Sequence, residues 1–276
     1  MLNKKVIVLS GYARGGTNIV WNILQSHPEI CSPIYETGEL FKKSLPLLFS
    51  RLLSNIVPLH KRQHLIDSQL FKYKLKNLDH VDNKYFSEEE LYSHEQLVNT
   101  TLCLKSVNND ISLTEHLIKV YPDLYFIALS RNGYALADSY IRRGQTVQEA
   151  GRMYSKVSVE MKKYSDTIDN FKLIKFEDCL QKPFSIAKEL FSFVDIQPTE
   201  VEKIRLKSKK TINKKGEHTH RYGKENRKYW FDKKSIKEML DPNINTTQAA
   251  RLSDKMIQEF NTEAKSALDF FGYEIH

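Results

Sequence analysis

A glycine-rich turn near the start of the chain has the residue types that bind a phosphate group. The apolar run 6–9 predicts a buried strand, and Gly11, Gly15 and Gly16 follow it. A helical pattern then begins at Thr17. In such a strand–turn–helix unit, backbone N–H groups and the positive end of the helix converge on one place, where an anion binds. The segment therefore predicts a site for a phosphate-like anion.

The same turn lacks the two residues that usually hold a nucleoside triphosphate and its Mg²⁺. In a Walker A loop, which reads G-x-x-x-x-G-K-[ST], the lysine reaches the phosphates and the hydroxyl binds the metal. Aligned on Gly11 and Gly16, this chain has Thr17 in place of the lysine and Asn18 in place of the hydroxyl. We therefore expect the turn to bind a phosphate-like group without a metal ion.

Residues 13–18 resemble the loop that binds the 5′-phosphosulfate in sulfotransferases, which use the donor 3′-phosphoadenosine 5′-phosphosulfate (PAPS). The usual form of that loop is P-[RK]-S-G-T-T; three positions of this chain match it and the other three differ. Asn18, one of those that differ, can still donate hydrogen bonds. The resemblance implies that the donor is bound by Arg14, Gly15, Gly16, Thr17 and Asn18.

A second match lies further along the chain. Arg131 follows a predicted strand at 124–129, and Ser139 stands eight residues later on the next predicted helix. In the sulfotransferase family, an arginine and a serine with this spacing bind the 3′-phosphate of the donor. The guanidinium fork suits bidentate phosphate binding, and the serine can add a hydroxyl donor to the same oxygens. By this resemblance, Arg131 and Ser139 bind a phosphate that ATP lacks.

A third match lies in a basic segment at about 203–230, which holds eleven lysines and arginines against two glutamates. We expect a loop whose positive surface suits a polyanionic donor. Within it, Arg221, Tyr222 and Gly223 resemble the R-K-G loop that covers the 3′-phosphate and adenine in sulfotransferases, with Trp230 soon afterwards. The resemblance implies that these three residues complete the donor site.

Sulfuryl transfer needs a base for the acceptor hydroxyl and positive charge for the leaving phosphate. Lys105, which resembles the lysine of the family's K-[TS] strand end, is expected to stabilise that charge together with Arg14. Cytosolic small-molecule sulfotransferases use a histidine just after this strand, where this chain has Val107. The chain is more similar to the tyrosylprotein and heparan-type enzymes, whose glutamate base implies Glu36 here, with Glu39 as the alternative. A structural carboxylate at a helix N-terminus is the other interpretation of Glu36.

Strands and helices alternate along most of the chain, which predicts an α/β fold with a P-loop NTPase-like parallel sheet flanked by helices. We expect one domain, 1–276, with a helical region at its C-terminal end. Asn245 and Gln248 are expected to cap the start of that region and Gly272 to end it. Glu177 and Asp178 are expected to cap or pair within the fold. Strands are expected at 6–9, 30–33, 101–105, 124–129 and 172–176, and helices at 17–26, 111–120, 133–143, 146–168, 184–194, 235–240 and 246–271.

Residues 40–98 interrupt this alternation with a helical insertion, which we interpret as a cap over the acceptor cleft. Positions 87–90 have the pattern of a capping box, which predicts a helix that continues to residue 97. The histidines of the insertion have no metal-binding spacing. An apolar stripe at helical spacing is expected to pack in the core rather than to bind lipid; it consists of Leu45, Leu48, Leu52 and Ile56.

Composition is that of a globular protein. The 276 residues are 41% hydrophobic and carry a formal net charge of +8. Cys31, Cys103 and Cys179 form neither a disulfide framework nor a metal pattern, and two of them lie within or beside apolar runs, where we expect buried thiols; this suits a reducing compartment. No apolar stretch reaches the ~20 residues of a membrane span, and the first strand leaves no room for a signal peptide. We therefore expect a cytoplasmic protein with no membrane partner; the alternative is that an N-terminal anchor precedes this sequence in a longer chain.

These patterns together predict a PAPS-dependent O-sulfotransferase that needs no metal and releases adenosine 3′,5′-bisphosphate (PAP). Its acceptor is expected to be a hydroxyl on a saccharide or a similar polar metabolite. Two other classes stay open. A P-loop nucleotide or small-molecule kinase would need a lysine and a metal-binding hydroxyl that the turn lacks in register. A nucleic-acid-binding protein would explain the basic segment but neither phosphate-binding match, so no nucleic-acid partner is expected.

Overall fold

The computed structural model describes residues 1–52, 56–76, 94–197, 201–208, 210–212, 218–220, 223 and 228–275. At its centre is a five-stranded parallel sheet in the order β2-β3-β1-β4-β5. The strands are β1 (Val6–Gly11), β2 (Ile30–Cys31), β3 (Thr101–Val107), β4 (Tyr125–Ser130) and β5 (Phe171–Lys175). Because all five are parallel, their carboxyl ends lie along one edge, called here the carboxyl edge. The predicted α/β fold with a parallel sheet is confirmed.

Helices cover both faces of the sheet. Val6 and Val8 of β1 belong to the apolar cluster that includes α8 (Val147–Thr167) and α12 (Asp254–Phe271). Ile7 and Leu9 belong to the opposite cluster, with α1 (Thr17–Leu24) and α10 (Pro183–Phe193). Both faces of β1 are thus buried, which explains why its sequence is a continuous apolar run rather than an alternating one.

Several further elements complete the described chain. They are α2 (Thr37–Lys43), α3 (Leu45–Leu52), α4 (Leu59–Leu75), α5 (His94–Asn99), α6 (Thr114–Ile118), α7 (Gly133–Ile141), α9 (Phe176–Gln181), α11 (Ile244–Ala249), and 3-10 helices at Asn108–Leu113 and Ser235–Glu238. The predicted helix 111–120 is therefore a 3-10 helix followed by α6. The predicted helix 246–271 is two helices, α11 and α12, and Gly272 ends the second in a left-handed conformation, as expected.

The basic segment predicted as a loop contains strands in its described parts, so that prediction is wrong. The strands are β6 (Ile204–Lys207), β7 (Lys210–Ile212), β8 (His218–His220) and β9 (Lys228–Phe231), which pair as β6–β9 and β7–β8. Ile204, Leu206 and Phe231 are buried in the same cluster as α1. Arg205 is also buried and donates to the Gln25 carbonyl at 2.8 Å. Arg205 therefore packs within the fold instead of forming part of a positive wall. The many charged residues of this segment concealed the apolar residues on either side of Arg205, Ile204 and Leu206, which belong to a strand.

The insertion is helical as predicted, but it begins at Thr37, and residues 77–93, with the capping-box positions, lie outside the described residues. The predicted core stripe is wrong. Leu45, Leu52 and Ile56 are exposed and Leu48 is half-buried, whereas Leu47 and Ser50 are the buried residues of α3. The reason is that α3 packs mainly against α2 and α4, its neighbours in the insertion, so only one narrow face is covered.

All three cysteines are buried free thiols, one more than the two for which burial was expected. Burial raises the pKa of Cys103 to about 12, so this thiol stays protonated at neutral pH. Within the described part of the chain, no helix is long and apolar enough to cross a bilayer. The same residues contain no cluster of histidine, cysteine and carboxylate side chains suited to a metal ion.

Candidate active site

The turn between β1 and α1 is held at the carboxyl edge by hydrogen bonds. Gly15 donates its backbone N–H to the Tyr12 carbonyl at 2.8 Å, and Ala13 donates its own to Oδ1 of Asn108, just after β3, at 2.8 Å. Arg14 and Gly16 have left-handed φ angles of 68° and 92°. Since Gly16 is the N-cap of α1, an anion in this turn meets the positive end of that helix.

Replacing Gly16 by alanine is expected to lower the free energy of unfolding by about 1–3 kcal/mol, from overpacking and backbone strain. A Cβ atom at this position would lie 2.2 Å from ring carbons of Phe176. Thermal unfolding followed by circular dichroism measures the loss. Gly144→Ala is the matched control, because its φ is +86° but no atom lies within 4 Å of the added Cβ. Unchanged stability of Gly16→Ala would contradict the close approach to Phe176.

Lys105, near the carboxyl end of β3, connects this turn to the predicted base. Its Nζ atom lies 2.7 Å from Oε1 of Glu36 and donates to Oδ1 of Asn18 at 2.5 Å. The same ammonium lies 4.4 Å from the ring centroid of Trp21. The Lys105 side chain is 2% exposed and that of Glu36 is 34% exposed. A buried positive charge thus lies between the anion-binding turn and a carboxylate that solvent can reach.

Glu36 and Glu39 occupy different environments, although both belong to the start of α2. Glu36 is the N-cap residue, so the structural interpretation of this carboxylate also applies. Glu39 is exposed and accepts the backbone N–H of Glu36 at 3.2 Å. The Thr37 hydroxyl donates to the Lys105 carbonyl at 3.0 Å, and the Ser106 hydroxyl donates to that of Thr37 at 2.8 Å. These bonds attach α2 to β3 and place Glu36 against Lys105.

Arg131 lies beside the turn, directly after β4. Its Nη1 donates to the Arg14 carbonyl, and Nε of Arg14 lies 3.5 Å from the Ser139 hydroxyl. The structure therefore brings together the three side chains that the sequence assigned to phosphate binding. The Arg131 guanidinium is also 4.7 Å from the Phe176 ring centroid. Burial lowers the pKa of Arg131 to about 10, so the group remains cationic at neutral pH.

Two neutral amide side chains, those of Asn245 and Gln248, accept hydrogen bonds from Arg131. Its Nε donates to Oδ1 of Asn245 at 2.9 Å, and its Nη2 donates to Oε1 of Gln248. The expectation that these residues cap the C-terminal helix is wrong. They lie on α11, whereas the hydroxyl of Ser253 caps α12 by accepting the Met256 N–H at 3.4 Å. Together with the bond to the Arg14 carbonyl, the bonds to Asn245 and Gln248 use three of the five N–H groups of the Arg131 guanidinium. Two N–H groups are left for a ligand.

Glu177 supports this arrangement from behind, in the structural role predicted for it. Oε1 accepts the Asn132 backbone N–H at 2.9 Å and an amide N–H of Asn245, and Oε2 accepts the Tyr273 hydroxyl at 2.8 Å. Asn245 therefore links the Glu177 carboxylate to Arg131 and helps to fix the orientation of the guanidinium. The i, i+3 spacing of Asn245 and Gln248 places both amides on one helix face, which is the signal that could have linked them to a shared partner.

A cleft of about 410 Å³ opens beside α2, between α3, α8 and the 3-10 helix after β3. Burial raises the pKa of the Asp110 carboxyl. The positive charge of Lys42 opposes this increase, and the negative charge of Glu36 adds to it. Asp110 therefore lies within electrostatic reach of the predicted base, and sequence reasoning had not identified it. The charged residues of the lining are Lys42, Arg51, Lys156, Asp110 and Glu160. A lining with both signs of charge suits a polar ligand.

The segment compared with the R-K-G loop is described only at Gly223. This residue has a φ of +53°, and a Cβ atom there would lie 2.5 Å from the Tyr229 ring. Arg221 and Tyr222 lie outside the described residues. Their assignment to the donor site, together with that of Gly223, therefore stays a prediction.

The fold and the site together define a P-loop-like α/β protein whose sheet bears an anion-binding turn at the carboxyl end of its central strand. Ligands of such open sheets bind at this edge, where the strand order reverses. The sequence model of the Sulfotransferase family matches residues 6–200, and the chain belongs to this family. The match includes the turn, Glu36, Lys105, Arg131 and Ser139, whereas α11 lies beyond it.

Solved structures agree with this fold. The sulfotransferase domain from the curacin biosynthetic pathway is 14% identical, with a TM-score of 0.52 over 99% of this chain and 100% of that one. The sulfotransferase domain of the Synechococcus PCC 7002 olefin synthase is 15% identical, with a TM-score of 0.51 over 99% of this chain and 96% of that one. At these identities the likeness establishes the fold alone. Among curated protein sequences, none matches this chain.

Proposed function

We propose that this sulfotransferase moves a sulfuryl group from PAPS to a hydroxyl on a saccharide or another polar metabolite. The observation that carries the proposal is the position of Lys105, whose ammonium contacts Asn18 at the start of α1 and Glu36 at the start of α2, the helix that borders the cleft. A cation next to the turn and a carboxylate next to that cation support the proposal, because the leaving group needs positive charge and the acceptor hydroxyl needs a base.

The residues around the turn fit the two anionic ends of PAPS. The turn and the start of α1 can receive the 5′-phosphosulfate, because Gly16 is the N-cap of α1 and the positive end of that helix faces the turn. Arg131, with two unused N–H groups, and the nearby hydroxyl of Ser139 can receive the 3′-phosphate. By their resemblance to the R-K-G loop, Arg221, Tyr222 and Gly223 would cover the 3′-phosphate and the adenine.

The chemistry follows from which groups each residue can reach. When bound, PAPS supplies an activated sulfuryl group, and its transfer forms an S–O bond to the acceptor and breaks the S–O bond to the 5′-phosphate. Glu36 takes the proton of the acceptor hydroxyl. Lys105 and Arg14 stabilise the negative charge that develops on the oxygen between sulfur and phosphorus. Because Lys105 already contacts both Glu36 and the turn, a small movement towards the leaving oxygen would free the carboxylate for the proton.

The cleft supports a polar acceptor. Its carboxylates can accept hydrogen bonds from hydroxyl groups, and its lysine and arginine side chains can donate to ring or carboxyl oxygens. The glutamate at the start of α2 supports the proposed likeness to the tyrosylprotein and heparan-type branch. PAP release, measured with a panel of saccharide and phenolic acceptors, tests this proposal. Turnover with none of them, combined with no preference for PAP over ATP–Mg²⁺ in a thermal shift, would contradict it.

The site does not support the two alternative classes, a kinase and a nucleic-acid-binding protein. A kinase would need groups that position a metal-bound triphosphate, and the turn has Thr17 and Asn18 at those positions. A nucleic-acid-binding protein would use the basic segment as its contact surface, but Arg205 of that segment is buried in β6 and donates to the Gln25 carbonyl at the end of α1. Neither class explains a lysine that bridges the turn and Glu36.

Transfer from PAPS is expected to continue in excess chelator. Arg14, Lys105 and the N-terminal end of α1 supply the positive field that a metal ion supplies in a kinase. PAP release measured with EDTA and with added Mg²⁺ should therefore proceed at similar rates. A strict requirement for a divalent cation would favour the kinase instead.

A further inference from the structure

The insertion carries an exposed apolar surface, called here the insertion face. It consists of Leu45, Phe49, Leu52, Ile56 and Leu59, whose exposed fractions range from 43% to 77%. The first three follow the i, i+4, i+7 spacing of one helix face along α3. Among the described residues, ten large hydrophobic side chains are exposed, and half of them belong to this face. Apolar surface concentrated in this way marks a binding surface rather than scattered exposure.

The charged residues of the segment that carries the insertion face all have one sign. Residues 40–66 contain no aspartate or glutamate, but they contain five lysines and arginines. Arg62 is buried and donates to the Val57 carbonyl at 3.0 Å. The other four are exposed and lie close to the face in the sequence. Two of them, Lys42 and Arg51, also line the cleft together with Asp110 and Glu160; the other two are Lys43 and Lys61.

We propose that the insertion face docks on an anionic lipid surface. Apolar side chains on one helix face enter the boundary between headgroups and acyl chains, while flanking lysines and arginines contact the headgroups. A second copy of the chain fits less well, because a symmetric contact would bring the four exposed cations towards their own copies. Anionic lipid is the partner that complements both the apolar residues and the positive charge near them.

Docking in this way would place the acceptor cleft at the lipid surface, since Lys42 and Arg51 belong both to its lining and to the four exposed cations near the face. The sequence expectation of no membrane partner depended on the absence of a spanning segment. Attachment of one helix face needs no such segment. The proposal goes beyond the transfer reaction, and its test needs no turnover.

Co-sedimentation with vesicles tests the proposal. The full chain should bind vesicles of phosphatidylcholine mixed with phosphatidylserine at least about tenfold more tightly than vesicles of phosphatidylcholine alone, and salt should weaken the binding. The double variant Phe49→Ser, Leu52→Ser should lose about tenfold or more of this affinity. Val159→Ser on α8 is the matched control, because Val159 is 63% exposed but lies outside the face.

A second variant tests the charges separately. Lys43→Gln with Lys61→Gln leaves the apolar side chains in place and should reduce the preference for phosphatidylserine about tenfold, with an unchanged thermal unfolding curve. Equal binding to both kinds of vesicle, or equal binding by the Phe49/Leu52 variant and the Val159 control, would overturn the proposal. A dimer in sedimentation equilibrium that the Phe49/Leu52 variant abolishes would also overturn it, since the face would then join two copies.

Discussion

Glu36→Gln is expected to lower turnover by about 10²–10⁴, the usual contribution of a positioned general base, while PAP affinity hardly changes. Glutamine keeps the size of the side chain and can still accept a hydrogen bond from Lys105, which lies 2.7 Å from Oε1 of Glu36. It cannot take a proton from the acceptor. Steady-state PAP release, together with titration of PAP by calorimetry, separates the chemical step from donor binding.

The N-cap position of Glu36 requires a control for a purely structural effect. Serine is a good N-cap residue but has no carboxylate, so Glu36→Ser should preserve the thermal stability of α2 and remain as inactive as Glu36→Gln. Glu39→Gln should do much less, because Glu39 accepts a backbone N–H and is exposed. Loss of activity only in Glu39→Gln would show that Glu39 is the base. Full activity in both Glu36→Gln and Glu39→Gln would show that neither carboxylate is the base.

Arg131→Ala is expected to weaken PAP binding by about ten- to a hundredfold. Hydrogen bonds to a charged group contribute roughly 1.5–3 kcal/mol each, and each 1.4 kcal/mol is about tenfold in affinity. Adenosine 5′-monophosphate, which has no 3′-phosphate, should lose little affinity in the same variant. Isothermal titration with both ligands measures the difference directly.

The environment of Arg131 supplies matched controls for this measurement. Arg131→Lys keeps the charge but not the fork, so its PAP affinity should lie between those of wild type and Arg131→Ala. Gln248→Ala removes an acceptor for Nη2 and should weaken PAP binding by less than Arg131→Ala, because the cation remains. Equal PAP affinity in wild type and Arg131→Ala, with both proteins folded, would disprove the 3′-phosphate assignment.

The features that the sequence predicted correctly depend on short-range patterns. A run such as 6–9 is apolar at every position because both faces of β1 are buried, and the turn that follows needs glycine at Gly16, where φ is 92°. Lys105 and Arg131 could be placed near this turn from the sequence because each stands at the end of a strand. In a parallel sheet such positions share one edge.

The predictions that failed depended on contacts between distant segments. The charges of β6 hid a strand whose apolar residues pack against α1. The stripe on α3 has the spacing of a core helix, but only the arrangement of α2 and α4 determines which side of α3 is covered. Helical periodicity shows that a helix has an apolar face; it does not show that another element lies against that face.

By itself, the sequence determined the family, the parallel sheet and the glycine-rich turn, because each follows from neighbouring residues and the spacing of strand ends. The tertiary structure alone decided how the site is assembled. Asn245 and Gln248 reach Arg131 across 114 and 117 positions of the chain, and Lys105 meets Glu36 through the attachment of α2 to β3. Such contacts arise from the packing of whole elements, and no local pattern of residue types encodes which distant side chains they bring together.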